Sequence, residues 1–108
     1  MATTKLRFVL EQLPATTTNV FTVPALHTYQ IVSAVGANLD TANATQIAIE
    51  VNSGGGLTDY LTARTIPAKG TDLLPELVGM IFEAGDLLNA FASAVSDINL
   101  KVSVLDTV

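Results

Sequence analysis

Along the last stretch of the chain, Ile98, Leu100, Val102 and Val104 alternate with Asn99, Lys101 and Ser103. Successive side chains of an extended chain point to opposite sides, so this pattern predicts a strand with one face built for burial. The same period of two runs through residues 5–11, where Leu6, Phe8 and Leu10 fall between Lys5, Arg7, Val9 and Glu11. That strand stops at Leu13-Pro14, because proline has no N–H to give to a ladder. The cleanest alternation covers residues 46–52, with Ile47, Ile49 and Val51 expected inward. Shorter β-branched or apolar runs at 20–23, 26–35, 57–63, 71–74, 78–82 and 87–94 predict further strands.

Turn formers punctuate these runs. Pro24 halts the second strand, and residues 36–44 hold Gly, Asn and Asp and read as a loop. Ser53-Gly54-Gly55-Gly56 must reverse the chain, and residues 66–70 read as a tight turn with Gly70 taking positive φ. Ala84-Gly85-Asp86 marks another turn. Val95-Ser96-Asp97 is expected to join the strands at 87–94 and 98–107 into a hairpin. Leu, Met, Glu and Ala at 77–92 also favour helix, but Gly79 and Gly85 interrupt that reading. The prediction is an all-β, antiparallel β-sandwich of about eight to nine short strands. It forms a single domain over residues 1–108, with 1–13 a terminal strand that pairs in the subunit or with a neighbour, the first being preferred.

Composition bears on the surface. Hydrophobic residues make up 49% of the chain and charged residues only 14%, against a usual charged share of roughly 25%. A small sandwich exposes two outer sheet faces, and so little charge suits burial against copies of itself or against a larger partner. A homo-oligomer, dimer or trimer, is therefore expected. The net charge is −5 and the five cations Lys5, Arg7, Arg64, Lys69 and Lys101 are scattered. This disfavours nucleic acid, whose recognition uses clustered cations. No cysteine is present, which rules out a thiolate site or disulfide framework within this sequence. The residues at 77–95 are broken by Glu83, Gly85, Asp86 and Asn89, too polar for a membrane span of about 20 residues. No signal-like segment opens the chain, and the expectation is a soluble, unprocessed protein with no membrane partner.

Candidate chemistry resolves mostly into structure. His27 is the sole histidine, so a metal site or general base would lack paired ligands and an evident orienting acid. The Ser53–Gly56 run resembles a phosphate loop but lacks the Lys-Ser/Thr that follows in one. Asp40, Asp59, Asp72 and Asp86 sit near turns, where aspartate caps local backbone. Glu83 and Asp86 flank Gly85 and read the same way. Phe8, Phe21, Tyr29, Tyr60, Phe82 and Phe91 are expected to pack the core. No catalytic, cofactor-binding or metal-binding residue is assigned, no cofactor is called for, and an enzyme is not expected.

Three phrases carry a resemblance. They are Ile66-Pro67-Ala68-Lys69-Gly70-Thr71, the run Leu73 with Glu76-Leu77-Val78-Gly79-Met80-Ile81-Phe82, and Ala84-Gly85-Asp86-Leu87 with Ala92-Ser93-Ala94. With Phe21-Thr22-Val23-Pro24-Ala25 and the strand after it, the chain resembles small, jelly-roll-like β-sandwich virion proteins of tailed bacteriophages. Members of that group often have Ala-Gly after the first Val-Pro, where this chain has Ala25-Leu26-His27. The resemblance implies a capsid decoration or cement protein, bound to the major capsid protein or another virion protein, in a virion assembled in the host cytoplasm. Neck, tail or fibre proteins of the same particles are the alternative. A reading from a different class is a carbohydrate-binding module in which Tyr29 or Tyr60 stacks on sugar.

Overall fold

The computed structural model describes residues 3–52, 57–95 and 97–108, with the side chains of 57–63 outside that description. The elements are β1 (Thr4–Gln12), β2 (Thr18–Thr22), β3 (Thr28–Asn38), β4 (Thr45–Asn52), β5 (Leu57–Ile66), β6 (Thr71–Leu73), a 3₁₀ turn (Pro75–Leu77), β7 (Ile81–Phe82), β8 (Leu87–Ala92) and β9 (Ile98–Thr107). They form two antiparallel sheets. Sheet A has the order β1-β9-β3-β6, with β7 also paired to β3, and sheet B has the order β2-β8-β4-β5. The chain crosses between sheets at nearly every connection. With β6 and β7 counted as one broken strand, this is the eight-strand order of a jelly roll.

Alternation explains which side chains fill the space between the sheets. Ile98, Leu100, Val102 and Val104 of β9 are fully buried, as are Ile47 and Ile49 of β4 and Leu88, Ala90 and Ala92 of β8. At one end, Phe21 meets the Phe82 ring edge-on at 5.1 Å and the Tyr29 ring at 5.3 Å, the geometry that ring quadrupoles favour. Gly36 lies on the inner face of β3, where an added Cβ would come within 3.0 Å of Ile66 Cδ1.

The break between β6 and β7 has a local cause. Pro75 cannot donate, and Gly79 adopts φ +90°, so the chain loops out between the two short strands. The backbone still returns to β3, since Leu74 N–H donates to Ala34 O, Gly79 N–H to Ile31 O and Ile31 N–H to Met80 O. The bulge between Ile31 and Ser33 sits at the same level.

Several expectations are corrected. The strands at 87–94 and 98–107 do not form a hairpin, because β8 lies in sheet B and β9 in sheet A. The connection between them crosses the sandwich, with Ser93 N–H bound to Gln46 O and Leu39 N–H to Asp97 O. β3 continues through Asn38 instead of yielding to a loop at Gly36, because β9 and β6 pair with it there. The strand expected over 78–82 is only Ile81–Phe82. In the turn after Ile66, Lys69 and not Gly70 takes positive φ, at 56°. Gly70 is required there for space, since a Cβ would lie 2.8 Å from the Pro67 carbonyl oxygen. The reversal expected at 53–56 lies outside the described residues.

Candidate functional site

β1 pairs with β9 along its whole length, Thr4 opposite Thr107 and Gln12 opposite Asn99. Because opposed residues share a face, the odd-numbered residues of β1 lie on the inner side of sheet A and the even-numbered ones on its outer side. The inner side at this margin is polar. Arg7 Nε lies 2.6 Å from Asp106 Oδ2, and His27 Nδ1 lies 2.7 Å from Asp106 Oδ1. Asp106 is buried at 2% exposure, whereas the Arg7 side chain is 52% exposed. Burial pushes the Asp106 carboxyl up. The hydrogen bond and charge of His27, with the charge and hydrogen bond of Arg7, outweigh it and hold the pKa below the ordinary carboxylate value. Tyr29 is held above the ordinary phenol value by burial, then by the Asp106 charge, against a smaller opposing effect of Arg7.

Beside this cluster lies an open cleft of about 310 Å³, lined by Leu6, Arg7, Phe8, Val9, Tyr29 and Val104. An imidazole oriented by a buried carboxylate is one part of a general base. Among the described residues no aliphatic hydroxyl or thiol lines the cleft to serve as its nucleophile. The arrangement ties the terminal strand and the turn before β3 to the end of β9. Sequence reasoning found no acid partner for His27, although the signal was there. Asp106 continues the buried parity of Leu100, Val102 and Val104, and a carboxylate at a buried position calls for partners.

The outer side of sheet A has a different character. Leu6, Phe8 and Leu10 of β1 are each at least 60% exposed, and Val32, Leu73 and Ile81 are exposed as well. The register sets them in rows: Leu6, Leu105, Gln30 and Ile81 in one, and Leu10, Lys101, Val35 and Leu73 in another. Lys101 reaches over the Phe8 ring, 5.0 Å from its centroid. Among the described side chains the outer side of sheet B is mixed: Leu87 and Phe91 stand half-buried beside Asn89, to which Asn19 donates, while Thr17 donates to Glu50 and Ser93 Oγ accepts from Gln46 N–H. The expectation that Phe8 packs the core is therefore corrected. It extends from the outer face of an edge strand. Phe21, Tyr29 and Phe82 do pack the core, Phe91 is half-buried, and Tyr60 lies outside the described side chains.

The aspartates divide. Asp40 accepts from the N–H groups of Ala42 and Asn43, which hold its carboxyl below the ordinary value. Asp86 accepts from Glu83 N–H. Both fit the turn role. Asp72 does not, because it lies on β6, 3.6 Å from the Arg64 guanidinium, which also pairs with Glu76. The Asp59 side chain lies outside the described residues. Among the described residues no group of three or more His, Cys, Asp or Glu is placed to hold a metal ion, and no helix is long and apolar enough to cross a membrane.

No protein family and no curated protein matches the chain. Among solved structures, the fold is similar to that of a subunit of Bacillus endospore appendages, a family of disulfide-linked pili. The TM-score is 0.55 at 11% identity, covering 97% of this chain and 86% of that one. A pentameric capsid protein from metagenomic phage sequences aligns with TM-score 0.40 at 18% identity, over 92% of this chain and 60% of that one. At 11% identity the likeness to the pilus subunit is one of fold alone.

Proposed function

We propose that this protein is a structural component of a tailed-phage virion, a decoration or cement protein seated on the outer capsid surface. The observation that carries this reading is the outer face of sheet A, where Leu6, Phe8, Leu10, Val32, Leu73 and Ile81 stand exposed. Exposed apolar side chains gathered on one face of a small domain mark a place meant to be covered. The turn-and-strand phrases of the sequence supply the particular setting. A cement protein needs no reaction, only buried area repeated over many copies, each raising the effective concentration of the next contact. The disulfide linkage of the pilus family has no counterpart in a sequence without cysteine, so assembly through this chain would not use disulfides.

Capsid shells lacking the protein, mixed with purified chain and sedimented, test the reading. Saturable co-sedimentation and a rise in the temperature of shell disruption support it. Absence of binding to shells, with binding to purified necks or tails, supports the neck, tail or fibre alternative. The carbohydrate-binding reading loses Tyr29, which is 9% exposed and packs against Phe21.

A further inference from the structure

Among the strand residues on the outer face of sheet A, Lys101 alone is ionisable, and we propose that its ammonium selects a partner surface that is apolar and bears a carboxylate opposite it. The inference rests on the capsid reading and deepens it, naming the chemistry of the surface on which the protein is seated. The registers turn the other charged strand residues of sheet A inward. Lys5 is opposite Asp106, Arg7 opposite Val104 and Glu11 opposite Leu100, and all three partners are buried. Asp72 is opposite Gly36, on the side where an added Cβ would meet Ile66 and Ile47. Lys101 is exposed, between Leu10 and Val35 in the row that ends at Leu73. The acid that follows β7, Glu83, lies in the turn that Asp86 N–H closes on its carbonyl. That turn is past the row of Ile81 and Leu105, itself about 13 Å along β9 from Lys101 at about 3.3 Å per residue. A chain of net charge −5 thus presents a face with one cation and no strand acid.

The charge is held in place. Phe8 is opposite Ser103, so the contact of the Lys101 ammonium with the Phe8 ring, 5.0 Å from its centroid, runs diagonally across the face. Among the described residues the ion pairs are made by Arg7, His27 and Arg64, and Lys101 has no carboxylate from its own chain. Covering the face takes the ammonium out of water, and a buried charge is tolerated when it is paired. A second copy laid on the same face would bring a second ammonium and no strand carboxylate. Nucleic acid and anionic lipid are bound by clustered cations. One cation in an apolar field matches a protein surface with one Asp or Glu among apolar residues. The apolar contacts supply area, while the pair fixes orientation and rejects surfaces that lack the acid. Enclosed in the interface, the pair is screened little by salt.

Shells that lack the protein, titrated with purified wild type and Lys101 variants, test this. Because Lys101 is exposed, the variants should keep the β-sheet circular dichroism and melting temperature of the wild type. Lys101→Met keeps an unbranched side chain and removes the charge. It should weaken binding to the shells about tenfold or more, since the shell carboxylate is left buried without a partner. Lys101→Glu sets like charges together and should weaken binding about a hundredfold or more. A partner surface without a carboxylate would bind Lys101→Met as tightly as wild type or more tightly, and that result overturns this inference while the capsid reading stands. A wild type that binds no shells overturns the capsid reading and this inference with it. A free chain that sediments at twice its 11.3 kDa mass and becomes monomeric in Leu73→Lys also overturns the inference, because a second copy then covers the face.

Discussion

Arg7 and Asp106, 99 positions apart in sequence, meet with Arg7 Nε 2.6 Å from Asp106 Oδ2. The contact fixes the first strand to the last at the margin where sheet A is least covered. With His27 on its other oxygen, the carboxylate has a charge-assisted contact on each side, the condition under which a buried charge is tolerated.

The folded-state pKa of Asp106 lies below its unfolded value of about 3.9. Its contribution to stability is thus present above that value and is lost as pH falls through the folded pKa. Asp106→Asn should destabilise the protein at pH 7 by about 1–2 kcal/mol, the scale of weakened hydrogen bonds to a charged group. The gap to wild type should shrink as pH falls below about 4. Urea titrations at several pH values check both halves, and a gap that widens in acid contradicts the account.

Asn38 offers a comparison without charge. Its side-chain nitrogen donates to the carbonyls of Asn43 and Ile66, each at 3.0 Å, while its oxygen accepts from Asp40 N–H at 2.9 Å. Asn38→Ala leaves these backbone groups unpaired around a buried position. A loss of about 2–4 kcal/mol is expected, the sum of desolvation costs of about 1–3 kcal/mol per group after partial relaxation. Thermal melts report it, and a change below half a kcal/mol contradicts it.

Two glycines should respond unequally to alanine. At Gly70 the added Cβ meets the backbone oxygen of Pro67 at 2.8 Å, whereas at Gly36 it meets the far end of the Ile66 side chain at 3.0 Å. Backbone cannot yield as a side chain can, so Gly70→Ala should cost about 1–3 kcal/mol and Gly36→Ala less. Denaturant midpoints for the two variants, measured side by side, decide the order.

Leu26 adopts φ 69° at 86% exposure, a left-handed conformation that costs an L-residue about 1–2 kcal/mol. Leu26→Gly removes that strain and loses no packing, against a greater entropy loss on folding of about 0.5–1 kcal/mol. The net effect should be a gain of up to about 1 kcal/mol, read as a rise in melting temperature. A clear loss of stability would show that Leu26 makes a contact that matters.

Much of this architecture was legible in the alternation of single strands. β9 was expected over 98–107, the span it occupies, with Ile98, Leu100, Val102 and Val104 inward as observed. Alternation gives each strand two faces but does not say whether another sheet lies over either. Leu6, Phe8 and Leu10 carry the pattern of a buried face, yet at the edge of sheet A they face solvent. Pairing was less legible for the same reason. β8 and β9 are adjacent in sequence and separated by a turn, as in a hairpin, and only the packing of two sheets places them on opposite sides of the core. The Asp106 cluster joins residues 7, 27 and 106, a proximity that sequence spacing does not encode.

The central claim is that the outer face of sheet A is the attachment surface. Binding to shells that lack the protein should be measured for Leu73→Lys with Ile81→Lys, and for a control carrying Asn89→Lys on the outer face of sheet B, across a range of salt. The account predicts that the sheet A variant loses binding and that the control retains it. Wild-type binding should change little between low salt and about 0.5 M, because apolar burial is spared where exposed charges are screened. Equal binding by the two variants, or collapse of wild-type binding at moderate salt, would contradict it.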